Sequence, residues 1–238
     1  EGGVAPGAAL LSFNASEDEW EVLPAGLAAG KQTFRPFLPW NHGSTAAGFN
    51  PINNCPQVYV FPQFLGLDNQ PIGVNPFSAG PDGTLRITSA LASPSVQSNL
   101  SWPGSATPSR GYRTSGSLSL MGILQAQYGR IKIRMRVTET IGFWPEFWVV
   151  PAWGEGADYE IDLALRAGTP TKVSYNHYTR NWDAGTMSNQ PIPSTWATIP
   201  GGKSIGEFID YEFHWTRDFI RYYTDGILQH EIESHDFH

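Results

Sequence analysis

"YEIDLAL", residues 159–165, decides the fold. Ile161, Leu163 and Leu165 alternate with Glu160, Asp162 and Ala164. Because successive side chains on a strand point to opposite faces, the stretch reads as a strand with an aliphatic face for a core and a second face bearing two carboxylates and a methyl group. Its neighbours repeat the pattern. Upstream, "GFWPEFWVV" (142–150) places Trp144, Glu146 and Trp148 on one face and Phe143, Pro145 and Phe147 on the other. Further out, "YRTSGSLSL", "YGRIKIRMRVTE", "TKVSYNHYT", "DYEFHWTRD" and "FIRYYTDGILQHEI" follow as strand signals, and Asp225-Gly226 supplies a hairpin turn. "IKIRMRV" alternates apolar with basic residues, as a strand with one solvated face does. Residues 1–110 are loop-rich, with short candidate strands at 58–61 and 84–88.

Composition agrees with the local pattern. The 238 residues include 25 Gly, 19 Pro and 31 aromatics (9 Trp, 9 Tyr, 13 Phe), with 16% charged. Gly and Pro interrupt long helices while aromatics fit pleated surfaces, so the class expected is all-β. With no internal repeat or linker-like tract, residues 1–238 are expected to form one β-sandwich domain of two antiparallel sheets. A net charge of −7 argues against a nucleic-acid partner, which needs a basic face to displace counterions. The single cysteine, Cys55, has no intramolecular disulfide partner. No run approaches the ~20 apolar residues that cross a bilayer, so no membrane partner is expected. "EGGVAPGAALLSF" lacks a signal peptide's basic region and reads as the start of a mature secreted chain, extracellular or periplasmic.

The chemistry rests on Glu160 and Asp162. Two positions on a strand span roughly 6.6–6.8 Å, close enough for the carboxylates to couple. A carboxylate pair on a cleft strand suits glycoside hydrolysis, in which one group attacks the anomeric carbon and another protonates the leaving oxygen. A half-exposed surface strand produces the same alternation, and the Trp-rich strand beside it reads either as a buried core strand, since Trp is more often packed than displayed, or as an aromatic wall over a groove. Glu146 between two tryptophans favours a face that meets water or ligand, since unpaired buried acids are rare.

At this point the sequence resembles glycoside hydrolase family 16, the jelly-roll endoglycanases that include lichenases, laminarinases and bacterial exopolysaccharide glycanases. "YGRIKIRMRV" resembles their Tyr-Gly-x-x-Glu-x-Arg strand and "GFWPEFWVVP" their Gly-x-Trp-Pro-Ala-Phe-Trp strand. "EIDL" resembles the opening of their catalytic signature, "DYEFHWTRDFIRYYTDGILQHEI" their late strand and Asp-Gly hairpin, and "NPFSAGPDGTLRITSA" the start of the exopolysaccharide-glycanase branch. The family signature is Glu-x-Asp-x-Glu, or Glu-x-Asp-x-x-Glu with a β-bulge. Carried over, Glu160 would be the nucleophile and Asp162 its helper. The acid/base position falls on Ala164 without a bulge or on Leu165 with one, and neither can carry a proton. The spacing to "TKVSYNHYT" fits the unbulged form, whereas Gly168 sits where the bulged form has its glycine.

The resemblance further implies a concave groove in which Trp144, Glu146, Trp148, Asn176, Tyr178 and Trp182 contact a polysaccharide or oligosaccharide, with Arg113 on the neighbouring strand. Tyr175 and Trp215 are expected in the core. Relatives continue past the stretch resembling "SHDFH" into further strands, which this sequence lacks. The expectation is a monomeric retaining endo-β-glycanase with its acid/base position empty, needing no cofactor and leaving structural calcium open. The alternative is a polysaccharide-binding module on the same fold.

Overall fold

A computed structural model describes residues 57–79, 84–103, 106, 108, 111–120, 128–149, 159–165, 168–179 and 190–233. At some strand positions, including Tyr159, Glu160, Ala164, Tyr178 and Thr179, only the backbone is described. Cys55 lies outside the described residues. The chain divides into two compact units, Glu1–Gln125 and Ala126–His238.

The first unit contains β1 (Gln57–Tyr59), β2 (Phe77–Ala79), β3 (Leu85–Ile87), β4 (Ala90–Leu91), α1 (Pro94–Ser98) and β5 (Arg113–Ser115). β5 is central to a small sheet, parallel to β1 and antiparallel to β4, while β2 and β3 form an antiparallel pair. The one-turn helix α1 starts where Ser93 places its hydroxyl on the Val96 N–H and Pro94 fixes the first helical residue. Val58, Val60, Phe61, Phe64, Phe77 and Leu100 form this unit's core.

The second unit is a sandwich. One sheet runs β10 (Gln190–Thr198), β9 (Lys172–Thr179), β8 (Tyr159–Leu165), β7 (Glu146–Val149), and the other β13 (Ile227–Glu233), β12 (Phe219–Thr224), β11 (Ile209–Trp215), β6 (Gly129–Met135). Every pairing within these two sheets is antiparallel. Ile161, Leu163, Leu165, Val173 and Tyr175 from the first sheet meet Ile209, Tyr211, Phe213, Ile220, Tyr222 and Ile232 from the second in one core. Phe147 stacks on Phe213 across the gap, with ring centroids 5.3 Å apart and planes 5° from parallel. Burial of such side chains stabilises the pairing by about 1.5–3 kcal/mol each.

Polar groups in this core are tied across the sheets. Tyr222 donates its hydroxyl to the Asn176 carbonyl at 2.9 Å, and Tyr175 shares a hydrogen bond with Thr224. Burial pushes the Tyr175 phenol up to about 12. Burial, then the Asp162 charge, then Tyr175 raise Tyr222 well above its ordinary value. Both phenols therefore stay protonated as cross-sheet hydrogen-bond groups through neutral pH.

The expected alternation of "IKIRMRV" is realised in β6. Ile131, Ile133 and Met135 pack on the core. On the opposite face Arg130 grips Glu212 bidentately at 2.5 and 2.7 Å, and Lys132 and Arg134 meet Asp210 at 2.7 and 3.2 Å. Among the described residues β6 ends its sheet, and basic side chains along such a strand discourage pairing with another sheet. The expected Asp225-Gly226 hairpin joins β12 to β13. Both residues have positive φ, 48° and 78°, which a two-residue turn matching strand twist requires. Asp225 also accepts from the Asp210 N–H at 3.0 Å and from Lys203 at 2.6 Å; these contacts, Lys203 first, hold its carboxyl below the usual range.

Candidate active site

The outward face of the β7–β10 sheet is set by the core residues behind it. Phe147 and Val149 on β7, Ile161, Leu163 and Leu165 on β8, Val173 and Tyr175 on β9, and Ala197 on β10 all belong to the core or pack against it. Positions 146, 148, 160, 162, 164, 174, 176, 178 and 196 therefore lie on the other face. Ladder register arranges them in cross-strand rows. Glu146, Ala164, Ser174 and Trp196 form one row. Trp148, Asp162 and Asn176 form the next, and Glu160, Tyr178 and Pro191 the third.

The two ladders of β8 are continuous, with no register shift against β7 or β9. An extra residue would have shown as two positions opposing one. Leu165 is fully buried in the sandwich core, so the position sharing a face with Glu160 and Asp162 is 164. Gly168 has an ordinary φ and open space where a Cβ would stand, so no local backbone requirement demands glycine there.

Asp162 and Asn176 face one another on adjacent strands, 5% and 8% exposed. The Ser174 hydroxyl donates to Asn176 Oδ1 at 2.8 Å, which leaves the Asn176 amide N–H groups to donate elsewhere. A carboxylate and a buried amide thus share the middle of the face. His177 sits on the core face of β9 at 1% exposure, beside Tyr175, and Trp215 is partly buried against the core, as expected.

The strand expected over 142–150 begins later than its sequence pattern. Trp144 precedes β7, which begins at Glu146, and is 51% exposed. Pro145 interrupts the ladder because it has no N–H, although its carbonyl still accepts from Leu165 N at 3.0 Å. Arg113 lies on β5, whose described ladder partners are β1 and β4. The side chains of Glu160, Ala164 and Tyr178, and all of Trp182, lie outside the described residues.

Sequence reasoning missed β10 and with it Trp196, 38% exposed and in the row with Ala164. "QPIPSTWAT" contains two prolines, a pattern that reads as loop, yet among the described residues β10 ends its sheet, where proline is tolerated, and its register shifts between Ile192 and Thr195. Thr195, Trp196, Ala197 and Thr198 run polar, apolar, apolar, polar, so no period-2 alternation marked the strand.

Among the described residues no cluster of three or more His, Cys, Asp or Glu is placed to hold a metal ion.

The sequence profile of glycosyl hydrolases family 16 matches residues 95–238. Endo-1,3-1,4-beta-glycanase ExsH of Rhizobium meliloti (strain 1021) is 27% identical over 176 residues, 73% of this chain and 33% of that protein. A beta-1,3-glucan-binding protein of Penaeus monodon is 28% identical over 142 residues, 50% of this chain and 35% of that protein. The chain therefore spans about a third of the length of these two relatives. The laminarinase catalytic domain from Thermotoga maritima MSB8, solved in complex with cetyltrimethylammonium bromide, superposes with a TM-score of 0.52 at 19% identity, over 68% of this chain and 61% of that one. That likeness bears on the fold alone. With the profile covering more than half of the sequence, and a sandwich whose signature strand runs unbroken through both ladders, the chain belongs to glycosyl hydrolase family 16.

Proposed function

We propose that this chain is the scaffold of a secreted, monomeric retaining endo-β-glycanase acting on β-glucan or a bacterial exopolysaccharide, with no carboxyl at its signature acid/base position, Ala164. The observation that carries the reading is the unbroken register of β8, which aligns positions 160, 162 and 164 on one face with the core on the other. Glu160 attacks the anomeric carbon, and the buried Asp162 beside it sets the charge environment of that attack. Asn176 donates to a sugar hydroxyl or to Asp162, and the tryptophans take the apolar C–H faces of the sugar rings. The two-carboxylate chemistry requires no cofactor, and the anionic chain is unsuited to nucleic acid.

The test is covalent trapping. A 2,4-dinitrophenyl 2-deoxy-2-fluoro-β-cellobioside loses its aryl group without proton assistance, and the proteolytic peptide carrying Glu160 is expected to gain the mass of the fluoroglycosyl group. Absence of an adduct, with lichenan still bound, supports the second reading, a glycan-binding module. That reading is favoured by the methyl group at 164 and by the likeness to a relative named as a glucan-binding protein.

Binding has its own expected result. Trp148→Ala and Trp196→Ala should each weaken lichenan oligosaccharide affinity by about 1–3 kcal/mol in titration calorimetry, as loss of an aromatic anchor does. Unchanged affinity in a folded variant removes that tryptophan from the binding face.

A further inference from the structure

We infer that Glu146 on β7 is the general acid/base of this site, supplying from the neighbouring strand the carboxyl that Ala164 lacks. The inference rests on the proposed glycanase function and goes beyond its signature strand. Glu146 pairs directly with Ala164 in the β7–β8 ladder, lies on the outward face and is exposed. The Leu165 N–H bonds the Pro145 carbonyl at 3.0 Å, which makes the adjacent 146–164 pair the non-hydrogen-bonded kind. In such pairs the Cα atoms approach to about 4.5 Å and the side chains lie closest.

The span to the nucleophile changes little. Four strand positions at roughly 3.4 Å separate the Cα atoms of 160 and 164 by about 13.6 Å. Moving the acid sideways by about 4.5 Å lengthens the diagonal to about 14.3 Å, under 1 Å more, because the displacement is perpendicular to the strand. A glutamate with three torsions absorbs that difference. Alanine ends at a methyl group and so does not rival the longer glutamate on the neighbouring strand, whereas a glutamate at 164 would. Asp162 is two positions closer to Glu160 and 5% exposed, so it lacks both the reach and the access.

In the first step a Glu160 oxygen bonds the anomeric carbon, the glycosidic C–O bond breaks, and its electron pair takes the proton of the Glu146 carboxyl. In the second, water attacks the anomeric carbon and gives a proton to the Glu146 carboxylate while the Glu160 ester bond breaks. The sum is one glycosidic bond hydrolysed by one water, with both carboxyl groups restored.

The full chain, its Glu146→Gln variant, and Glu146→Gln combined with Ala164→Glu are compared on lichenan and on 2,4-dinitrophenyl β-cellobioside. The expected results are a loss of about 10²- to 10⁴-fold on lichenan in Glu146→Gln, loss of the basic limb of its pH profile, and an unaffected rate of glycosylation by the aryl glycoside. Azide should speed turnover of that variant and yield the glycosyl azide, and the added Ala164→Glu should recover lichenan cleavage. A role confined to sugar binding would raise KM while leaving the pH limb and the azide response unmoved, and would overturn the inference. Lichenan cleavage unchanged in Glu146→Gln overturns it too, as does a chain inert toward lichenan that still forms the Glu160 adduct; in both cases the glycanase reading survives. Absence of the Glu160 adduct in the unmodified chain instead overturns the glycanase reading and the inference with it.

Discussion

Glu160→Gln is expected to remove turnover of aryl and polymeric β-glycosides alike, by more than about 10⁴-fold in kcat, the scale on which loss of a covalent nucleophile is felt. Glutamine keeps the length and planarity of the side chain, so the strand and its ladders should be undisturbed. What it loses is the negative charge and the oxygen that forms the glycosyl ester. An activated leaving group cannot compensate, because protonation of the leaving oxygen is not the missing step. This is the contrast with Glu146→Gln, which should spare the aryl glycoside. Binding should change little, since affinity comes from ring stacking and hydroxyl hydrogen bonds rather than from the attacking atom. The measurement is kcat on 2,4-dinitrophenyl β-cellobioside alongside the dissociation constant for a lichenan oligosaccharide. Hydrolysis persisting near the unmodified rate would mean that the nucleophile is elsewhere on the face.

How much of this could be read from sequence depended on whether the information was local. Strand β8 was legible because its alternation is strict, and β6 because its apolar and basic residues alternate over seven positions. The Asp225-Gly226 hairpin was legible because few residue pairs accept two positive φ values in succession. Position was harder than face. The sharing of a face by Glu146 and Trp148 followed from periodicity, but Trp144 fell outside the strand because Pro145 stops the ladder one residue after it. Glu146 standing directly across from Ala164 required the register, which periodicity does not contain. The ladder partners of the strand carrying Arg113 were out of reach of periodicity for the same reason, at longer range. That strand pairs in parallel with β1, more than fifty residues earlier, and a strand's own sequence does not name its partner. Trp196 was hidden by prolines that act as strand breakers in a sheet interior and are acceptable at the end of the described sheet, where β10 lies.

The remaining large effect separates the two ways of aligning the signature. Leu165→Glu should unfold the second unit or leave it severely destabilised, while Ala164→Glu should fold normally. Leu165 has no exposed surface and sits among Ile161, Leu163, Tyr175 and Phe213. Replacing it forfeits the burial of a core leucine, about 2–5 kcal/mol by the truncation scale. It also forces a carboxyl into an apolar layer, at a further cost of several kcal/mol even after it takes up a proton. The sum approaches the roughly 5–15 kcal/mol that holds a typical domain together. At position 164 the new side chain points away from that core, and its cost is limited to repulsion from Glu146 across the ladder, of the order of 1 kcal/mol or less. Urea unfolding followed by tryptophan fluorescence reads both variants, and lichenan hydrolysis by Ala164→Glu in the Glu146→Gln background reads the chemistry. If Leu165→Glu instead folds with unchanged stability and cleaves lichenan while Ala164→Glu gains nothing, β8 carries a bulge in solution that turns residue 165 outward, and the unbroken ladder is wrong at its last pair.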